Sequence, residues 1–429
     1  MPRPKIESPH DAIQRIRSRD TLAFPLGPGQ PPGFLAALGE RDDFEDLEVS
    51  TGLLLGLYPL FTRKGVRLRS GFFGPAERGL VEGGHDVSFI PADFRRFAVA
   101  LEMNPPRVMA TAVAPPDESG SLSLSLHAGA TIEALRACGR DPERLLIAEI
   151  NPSLPRTQGW LPEYPHRLSV EEVDILIEHE SPAPILPSDE PGAVEEAIAN
   201  YAQAFIPDGA TLQTGIGAIP SQVVSVLAEG RGGDYGIHSE MFTTGLMRLH
   251  EAGKVTNGNK GTFDGRSLCT FALGDQALYD WLDQSQEVAF LPVDVVNDPR
   301  RIGANRNMIS INGALAIDLF GQVAADTLGP RQYSGIGGHE DFVEGVGSAL
   351  ANRSLLCLPS TTESQGQTIS RIVPTLAAGT CVTTPRHQVD LVITEFGVAE
   401  LQGRSIGERA EALVQIAHPD FREELRRAL

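Results

Sequence analysis

GATLQTGIGAIPSQVVSVLAEG, residues 209–230, reads as a short strand opening on a Thr-Leu pair, then a Gly-rich turn, then an apolar helix entered through a proline. DTLAFPLGPGQPPGFLAALGER, residues 20–41, has the same order, and Thr21, Leu22 and Gly27 match Thr211, Leu212 and Gly217 at one offset of 190. The two stretches predict a duplicated strand-turn-helix unit, and hence an α/β protein with two related halves. Between them lies HESPAPILPSDEPGAVEEA, 179–197, whose four prolines in the span 182–191 stop regular structure. A linker is expected at about 180–192, with domains at 1–185 and 193–429.

The rest of the chain keeps the strand-then-helix rhythm. RVMATAV (107–113), RLLIAEI (144–150), SLLCLP (354–359), TCVTT (380–384) and VDLVITEFG (389–397) are short and rich in Val, Ile, Leu and Thr. Such runs suit strands buried on both faces, which predicts parallel sheets. Helices are expected at ATIEALRAC (130–138), ISRIVPTLAA (369–378) and SIGERAEALVQIA (405–417). In open sheets of this kind ligands gather beyond the carboxyl ends of the strands, so chemistry is sought in the turns that follow them.

Composition narrows the function classes. At 429 residues the chain exceeds a single hydrophobic core, which supports two domains. No apolar run is long enough to span a bilayer, and MPRPKIESPHDAIQRI has no apolar region behind its basic residues, so a cytoplasmic protein without a signal peptide is expected. The net charge of −20 repels a nucleic-acid backbone, so nucleic acid is not an expected partner. Cys138, Cys269, Cys357 and Cys381 are widely spaced without a CxxC pair, and are expected to be buried free thiols rather than zinc ligands or disulfides.

Three segments could carry chemistry. In TGIGAIPSQVV (214–224), Gly215 and Gly217 leave backbone N–H groups uncovered before a helix, a place for an oxyanion or phosphate; the plainer reading is a tight turn needing small residues. It is neither a dinucleotide fingerprint nor a P-loop, because Pro220 stands where a third glycine would be and no lysine follows. SGIGGHEDFVEGVGSAL (334–350) places Gly335, Gly337 and Gly338 ahead of another helix, where Asp341 and Glu344 suit the positive end of the helix dipole. GIHSEMFTTG (236–245) sets the lone carboxylate Glu240 between glycines, either as a loop-end charge or as a nucleophile for an activated carbonyl such as a thioester. No metal-ligand spacing surrounds it.

GIHSEMFTTG resembles the nucleophile segment of the acetyl-CoA hydrolase/transferase family, of the 4-hydroxybutyrate and butyryl-CoA:acetate CoA-transferase type. Similar agreement runs through LQTGIGAIPSQVV, VTNGNKG (255–261), LPVDVVNDP (291–299), ISINGALAIDLFGQV (309–323), QYSGIGGHEDFVEG (332–345), TISRIVPTL (368–376), DLVITEFGVAEL (390–401) and ERAEALVQIAHPDF (408–421). Looser matches at FPLGPGQP (24–31), APPDESGSLSLS (114–125) and INPSLPRTQG (150–159) carry the resemblance over nearly the whole chain.

The resemblance implies two similar open-sheet α/β domains of the CoA-transferase (NagB/RpiA-like) type. It implies ping-pong transfer of CoA between a short-chain acyl-CoA and a carboxylate such as acetate, butyrate or 4-hydroxybutyrate, with Glu240 passing through a glutamyl-CoA thioester. Gly217, Ala218, Gly337 and Gly338 fall on segments that border the thioester and supply oxyanion donors. Gln213, Gly215, Asn312, His339, Glu395 and Arg306 fall on the substrate and CoA contacts, with Arg300, Arg301 and Arg386 as further candidates for the CoA phosphates. CoA enters as substrate, with no permanently bound cofactor and no metal, and a homodimer or larger homo-oligomer is the family tendency. His339 departs from the pattern, because many relatives carry glutamine there. Net acyl-CoA hydrolysis, and a catalytically silent metabolite sensor on the same fold, stay open at this point.

Overall fold

The structure is a computed structural model that describes residues 5–186 and 191–429. Residues 187–190 of the expected linker, and residues 1–4 at the start of the segment searched for a signal peptide, lie outside the described residues. The chain forms two compact units, Met1–Leu186 with Leu268–Val296 and Pro187–Ser267 with Asn297–Leu429. The segment 268–296, placed by the sequence reading in the second domain, therefore belongs to the first unit.

Numbering the strands of the two large sheets in chain order, the first unit holds β1 (Lys5–Glu7), β2 (Arg19–Ala23), β3 (Asp46–Thr51), β4 (Val66–Ser70), β5 (Val87–Phe89), β6 (Val108–Val113), β7 (Leu145–Ile150) and β8 (Ile175–Glu178). They form one parallel sheet in the order β1-β8-β7-β6-β2-β3-β4-β5. All six residues of β6 are buried, as expected of an interior strand covered on both faces. Leu22, Val49, Val108 and Ile147 pack with Phe34, Leu35 and Leu38 of α1 (Pro32–Leu38) in one apolar core. Each such side chain stabilises the unit by about 1.5–3 kcal/mol through the area it removes from water.

The second unit holds β9 (Thr211–Thr214), β10 (Gly236–Ile237), β11 (Met308–Gly313), β12 (Arg353–Cys357), β13 (Leu391–Thr394) and β14 (Gly397–Glu400), in the order β10-β9-β11-β12-β13-β14. All neighbours are parallel except β13 and β14. α2 (Ala218–Glu229) follows β9, α3 (His339–Val346) follows the second Gly-rich turn, and α4 (Ile406–Ile416) packs Leu413 and Val414 against Leu356 and Val392. Ser405 and Glu408 close a capping box at the start of α4, which fixes where that helix begins.

The predicted duplication is visible in the strand orders, since β8-β7-β6-β2-β3 of the first sheet repeats as β13-β12-β11-β9-β10 of the second. The registers agree too, because Leu22 lies beside Val49 and Val108 as Leu212 lies beside Ile237 and Ile309. Counting along this match from Val49 and Ile237, Glu240 of the second unit corresponds to Gly52 of the first. In the first unit the helix after the Gly-rich turn is capped from within: Glu149, fully buried, accepts from Gly33 N at 3.0 Å and Phe34 N at 2.7 Å. Burial pushes that carboxyl up to about 7, against the lowering effect of the two N–H donors. In the first copy the slot above the Gly-rich turn is thus filled by the chain's own carboxylate. Gly217, the N-cap of α2, makes no side-chain cap hydrogen bond of its own.

Several sequence expectations fail. TCVTT (380–384) forms no strand; Thr383 N and Thr384 N donate to Val323 O instead of joining a large sheet. ISRIVPTLAA is not a helix but runs through strands Gln367–Ser370 and Ile372–Val373, as its β-branched residues and the helix-breaking Pro374 require. VDLVITEFG is broken at Glu395, after which the chain returns as antiparallel β14. The four thiols are free, but Cys381 is exposed because the segment carrying it is a surface loop rather than a strand.

Candidate active site

Glu240 follows β10 at its carboxyl end, and the turn carrying Gly215, Gly217 and Ala218 follows the neighbouring parallel strand β9, so both leave the same edge of the sheet. Ser239 fastens these two strand ends together. Its hydroxyl donates within reach of Thr214 O at 3.1 Å and Met241 O at 2.8 Å, and accepts from Thr214 N at 3.4 Å. His238 turns the other way, fully buried, with its ring edge-on to Phe342 and Nδ1 accepting from Asn305 Nδ2 at 3.0 Å. Both residues lie past the last strand residue, Ile237, where strand alternation no longer sets direction; His238 is buried in the core and Glu240 is half-buried.

The second Gly-rich turn approaches Glu240 from the start of α3. A Cβ added to Gly338 would stand 2.1 Å from Glu240 Oε2, a distance that only glycine avoids. Gly337, at φ +56°, makes the bend that brings Gly338 in. Beside them is a residue to which the sequence reading gave no role: Asn297, fully buried, donates from Nδ2 to Glu240 Oε2 at 2.7 Å and to Asp341 Oδ2 at 3.1 Å. It lies within LPVDVVNDP, which the sequence reading matched as a motif. Only the path of the chain brings it to Glu240, 57 residues away.

The other candidates fall into separate groups. Gln213 and Asn312 pair side chain to side chain across β9 and β11, at 3.3 and 3.4 Å, and Asn312 also donates to Ser310 Oγ at 2.7 Å. His339 opens α3, its Nε2 2.8 Å from Thr384 Oγ1; burial pulls its pKa down to about 4, so the ring is neutral at physiological pH. Glu395, just past β13, accepts from Ser360 N at 2.9 Å and Ser360 Oγ at 2.5 Å, so both its oxygens are engaged by the chain itself.

Of the arginines, Arg306 is exposed, Arg300 is held by Asp298 in a two-point pair at 3.0 and 3.1 Å, and Arg301 stacks over Phe263 at 5.6 Å. Arg386 is exposed, its carbonyl taken by Arg409. Among the described residues there is no cluster of three or more His, Cys, Asp or Glu that could hold a metal ion, and no helix long and apolar enough to cross a membrane.

Chemically, this is a carboxylate with one oxygen held by an amide donor, pressed against a glycine backbone, next to the helix start that follows the adjoining strand. Such an arrangement can present an oxygen to an electrophilic carbon and can solvate the negative charge that develops there. The profile of the acetyl-CoA hydrolase/transferase C-terminal domain matches residues 274–429. Over 99% of the chain and 95% of the relative, the sequence is 36% identical to succinyl-CoA:cyclohexane-1-carboxylate CoA transferase of Geobacter metallireducens.

The chain belongs to the acetyl-CoA hydrolase/transferase family.

Two further matches agree with this membership. The 4-hydroxybutyrate coenzyme A transferase of Clostridium kluyveri is 35% identical over 98% of this chain and 96% of its own. The crystal structure of RipA from Yersinia pestis superposes with a TM-score of 0.90, at 33% identity over 99% of this chain and 96% of that one. This member of the acetyl-CoA hydrolase/transferase family is an enzyme of the CoA-transferase kind, built as the α/β fold with parallel sheets that its sequence predicts.

Proposed function

We propose that the protein moves CoA between a short-chain acyl-CoA and a free carboxylate, with Glu240 carrying the coenzyme as a glutamyl-CoA thioester. A Glu240 oxygen attacks the acyl carbonyl and CoA thiolate leaves, giving an acyl-glutamyl anhydride. The thiolate then attacks the Glu240 carbonyl carbon, the acyl group departs as its carboxylate, and the glutamyl thioester remains. An acceptor carboxylate runs the two steps in reverse and leaves as the new CoA ester. Every bond made or broken involves only carboxylate, anhydride, thioester and thiolate.

The observation that carries this reading is the contact among Glu240, Asn297 and Gly338. A solvated loop-end carboxylate has no use for a fully buried amide donor at 2.7 Å and a glycine forced into contact with it. Gly338 N–H, Gly337 N–H and the turn at Gly217 and Ala218 are the proposed oxyanion donors, each contributing about 3–4 kcal/mol when aimed at the developing charge. Gln213, Gly215 and Asn312 border the path of the pantetheine arm in this reading, Arg306 meets a CoA phosphate, and Glu395 and His339 line the acyl side. Acetate, butyrate, 4-hydroxybutyrate and succinate are the acceptor class.

Net hydrolysis uses the same nucleophile and differs only in what takes the acyl-enzyme. His339, neutral and engaged with Thr384, is poorly placed to activate water, which favours transfer. The test offers acyl-CoA with each acceptor in turn and follows the new CoA ester by chromatography. Acceptor-dependent exchange supports the reading; thiol release at one rate whatever the acceptor contradicts it.

A further inference from the structure

Asp341 and Glu344 read alike in the sequence, as acidic residues near the start of a helix, where either would complement the dipole. The structure separates them. Glu344 is exposed, whereas Asp341 is 1% exposed and 3.1 Å from the amide nitrogen that also serves Glu240. We propose that Asp341 is a positioning residue, which fixes the orientation of the Asn297 side-chain amide and through it the place of the Glu240 carboxylate. This rests on the glutamyl-CoA reading above.

An asparagine side chain ends in an amide. It has a donor end with two hydrogens and an acceptor oxygen, and a half-turn about its last bond exchanges them. In Asn297 both hydrogens are committed to carboxylates, at 2.7 and 3.1 Å, while Oδ1 is buried without a hydrogen-bond partner. An orphaned buried acceptor costs about 1–3 kcal/mol, so this orientation is not the one packing alone would choose. Asp341 supplies what holds it. With a carboxylate on either side, the half-turn would set Oδ1 against two acceptor oxygens at hydrogen-bond distance, and both would repel it. With Asp341 gone, one hydrogen is free and the amide can rotate away from Glu240.

The consequence falls on the second half of the reaction. When an acceptor attacks the glutamyl thioester, negative charge develops on the Glu240 oxygen, and an N–H already in place there stabilises it without reorganising. Asn297 is that donor only while its amide keeps this orientation. Asp341 touches neither substrate nor the reacting atoms in this scheme; it acts through Asn297.

The test is a double-mutant cycle on the full-length protein, with Asp341→Asn and Asn297→Ala singly and together. Turnover is measured, and the covalent CoA adduct is followed by intact mass. Asp341→Asn keeps the shape of the side chain and should keep the melting temperature, while kcat falls roughly 10- to 100-fold and KM for acyl-CoA moves less than about threefold. In the Asn297→Ala background the same change should cost less than about twofold, because the residue it acts through is gone.

Additive losses in the double mutant, or unchanged kcat in a folded Asp341→Asn, overturn the proposal while a normal wild-type adduct leaves the Glu240 chemistry standing. Failure of the wild-type enzyme to form any adduct overturns both. Should Asp341→Asn fail to fold, Asp341→Ser provides a smaller acceptor for the same amide hydrogen. A folded serine variant with kcat closer to wild type than Asp341→Ala supports orientation, and equal losses in the two contradict it.

Discussion

Gly338 stands so close to Glu240 that a single added methyl carbon would lie 2.1 Å from Oε2, and the same carbon would lie 2.5 Å from Asn297 Nδ2. Gly338→Ala must therefore displace the carboxylate or the amide. Its φ of −90° is one that alanine adopts, so the damage is local. The expected result is a loss of about 10²-fold or more in kcat with a melting temperature near wild type, measured by steady-state kinetics and thermal unfolding. An active Gly338→Ala would mean that Glu240 does not work from the position seen.

Glu240→Asp withdraws the carboxylate by one methylene, over ~1 Å, while leaving its charge. The Asn297 contact at 2.7 Å cannot be kept at that length without backbone movement. Turnover should fall by about 10²-fold or more in a folded protein. A kcat within a few-fold of wild type would show that carboxylate placement is unimportant.

Asn297→Ala removes the amide donor from a half-buried carboxylate, a bond of the charged class that contributes about 1.5–3 kcal/mol. The glutamyl adduct should still form, but more slowly, and its discharge by acetate should slow by at least about tenfold. Stopped-flow mixing with mass detection separates the two steps, and unchanged discharge would remove Asn297 from the site.

His339 gives a pH prediction. Burial pulls its pKa from 6.5 to about 4, so the unfolded chain takes up a proton at a higher pH than the folded one. The stability it contributes is fully present above pH ~6.5 and is lost as pH falls through ~4, at most about 3 kcal/mol from this group. His339→Gln, which keeps a polar side chain without a titratable ring, should lose less melting temperature than wild type between pH 7 and pH 4.5. Parallel curves for the two proteins would contradict the assignment.

Glu149 offers a control in the other copy of the repeat. Glu149→Ala leaves Gly33 N and Phe34 N without their acceptor in a buried place, which should cost about 2–4 kcal/mol of stability in denaturant unfolding. A loss below about 0.5 kcal/mol would show that water or another group satisfies the helix start.

What the sequence disclosed, and what it withheld, follows from the range of the interactions. The Thr-Leu–Gly-rich turn–helix pattern is local, so the duplicated α/β unit could be read directly from residues 20–41 and 209–230. Glu240 and the turn glycines are singled out in the sequence by the resemblance of their segments to the family, because a carboxylate between glycines taken alone reads as a loop-end charge. Asn297 and Asp341 were not, since asparagine before a capping Asp298 and aspartate in a first helical turn have ordinary local explanations. Their meeting with Glu240 depends on chain path alone. The segment 369–378 runs through strands rather than a helix because Pro374 and the β-branched residues outweigh its helical spacing, and the segment 268–296 belongs to the first unit because contact, not composition, assigns it.

The most direct test of the whole account is intact-mass spectrometry after brief incubation with acyl-CoA and no acceptor, on wild type and Glu240→Ala. The account predicts that the wild type gains the mass of CoA less one water, that acetate removes it, and that the alanine variant never gains it. A wild-type protein that turns over acyl-CoA without acquiring this mass, or an alanine variant that acquires it, contradicts the assignment of Glu240 as the residue that carries the coenzyme.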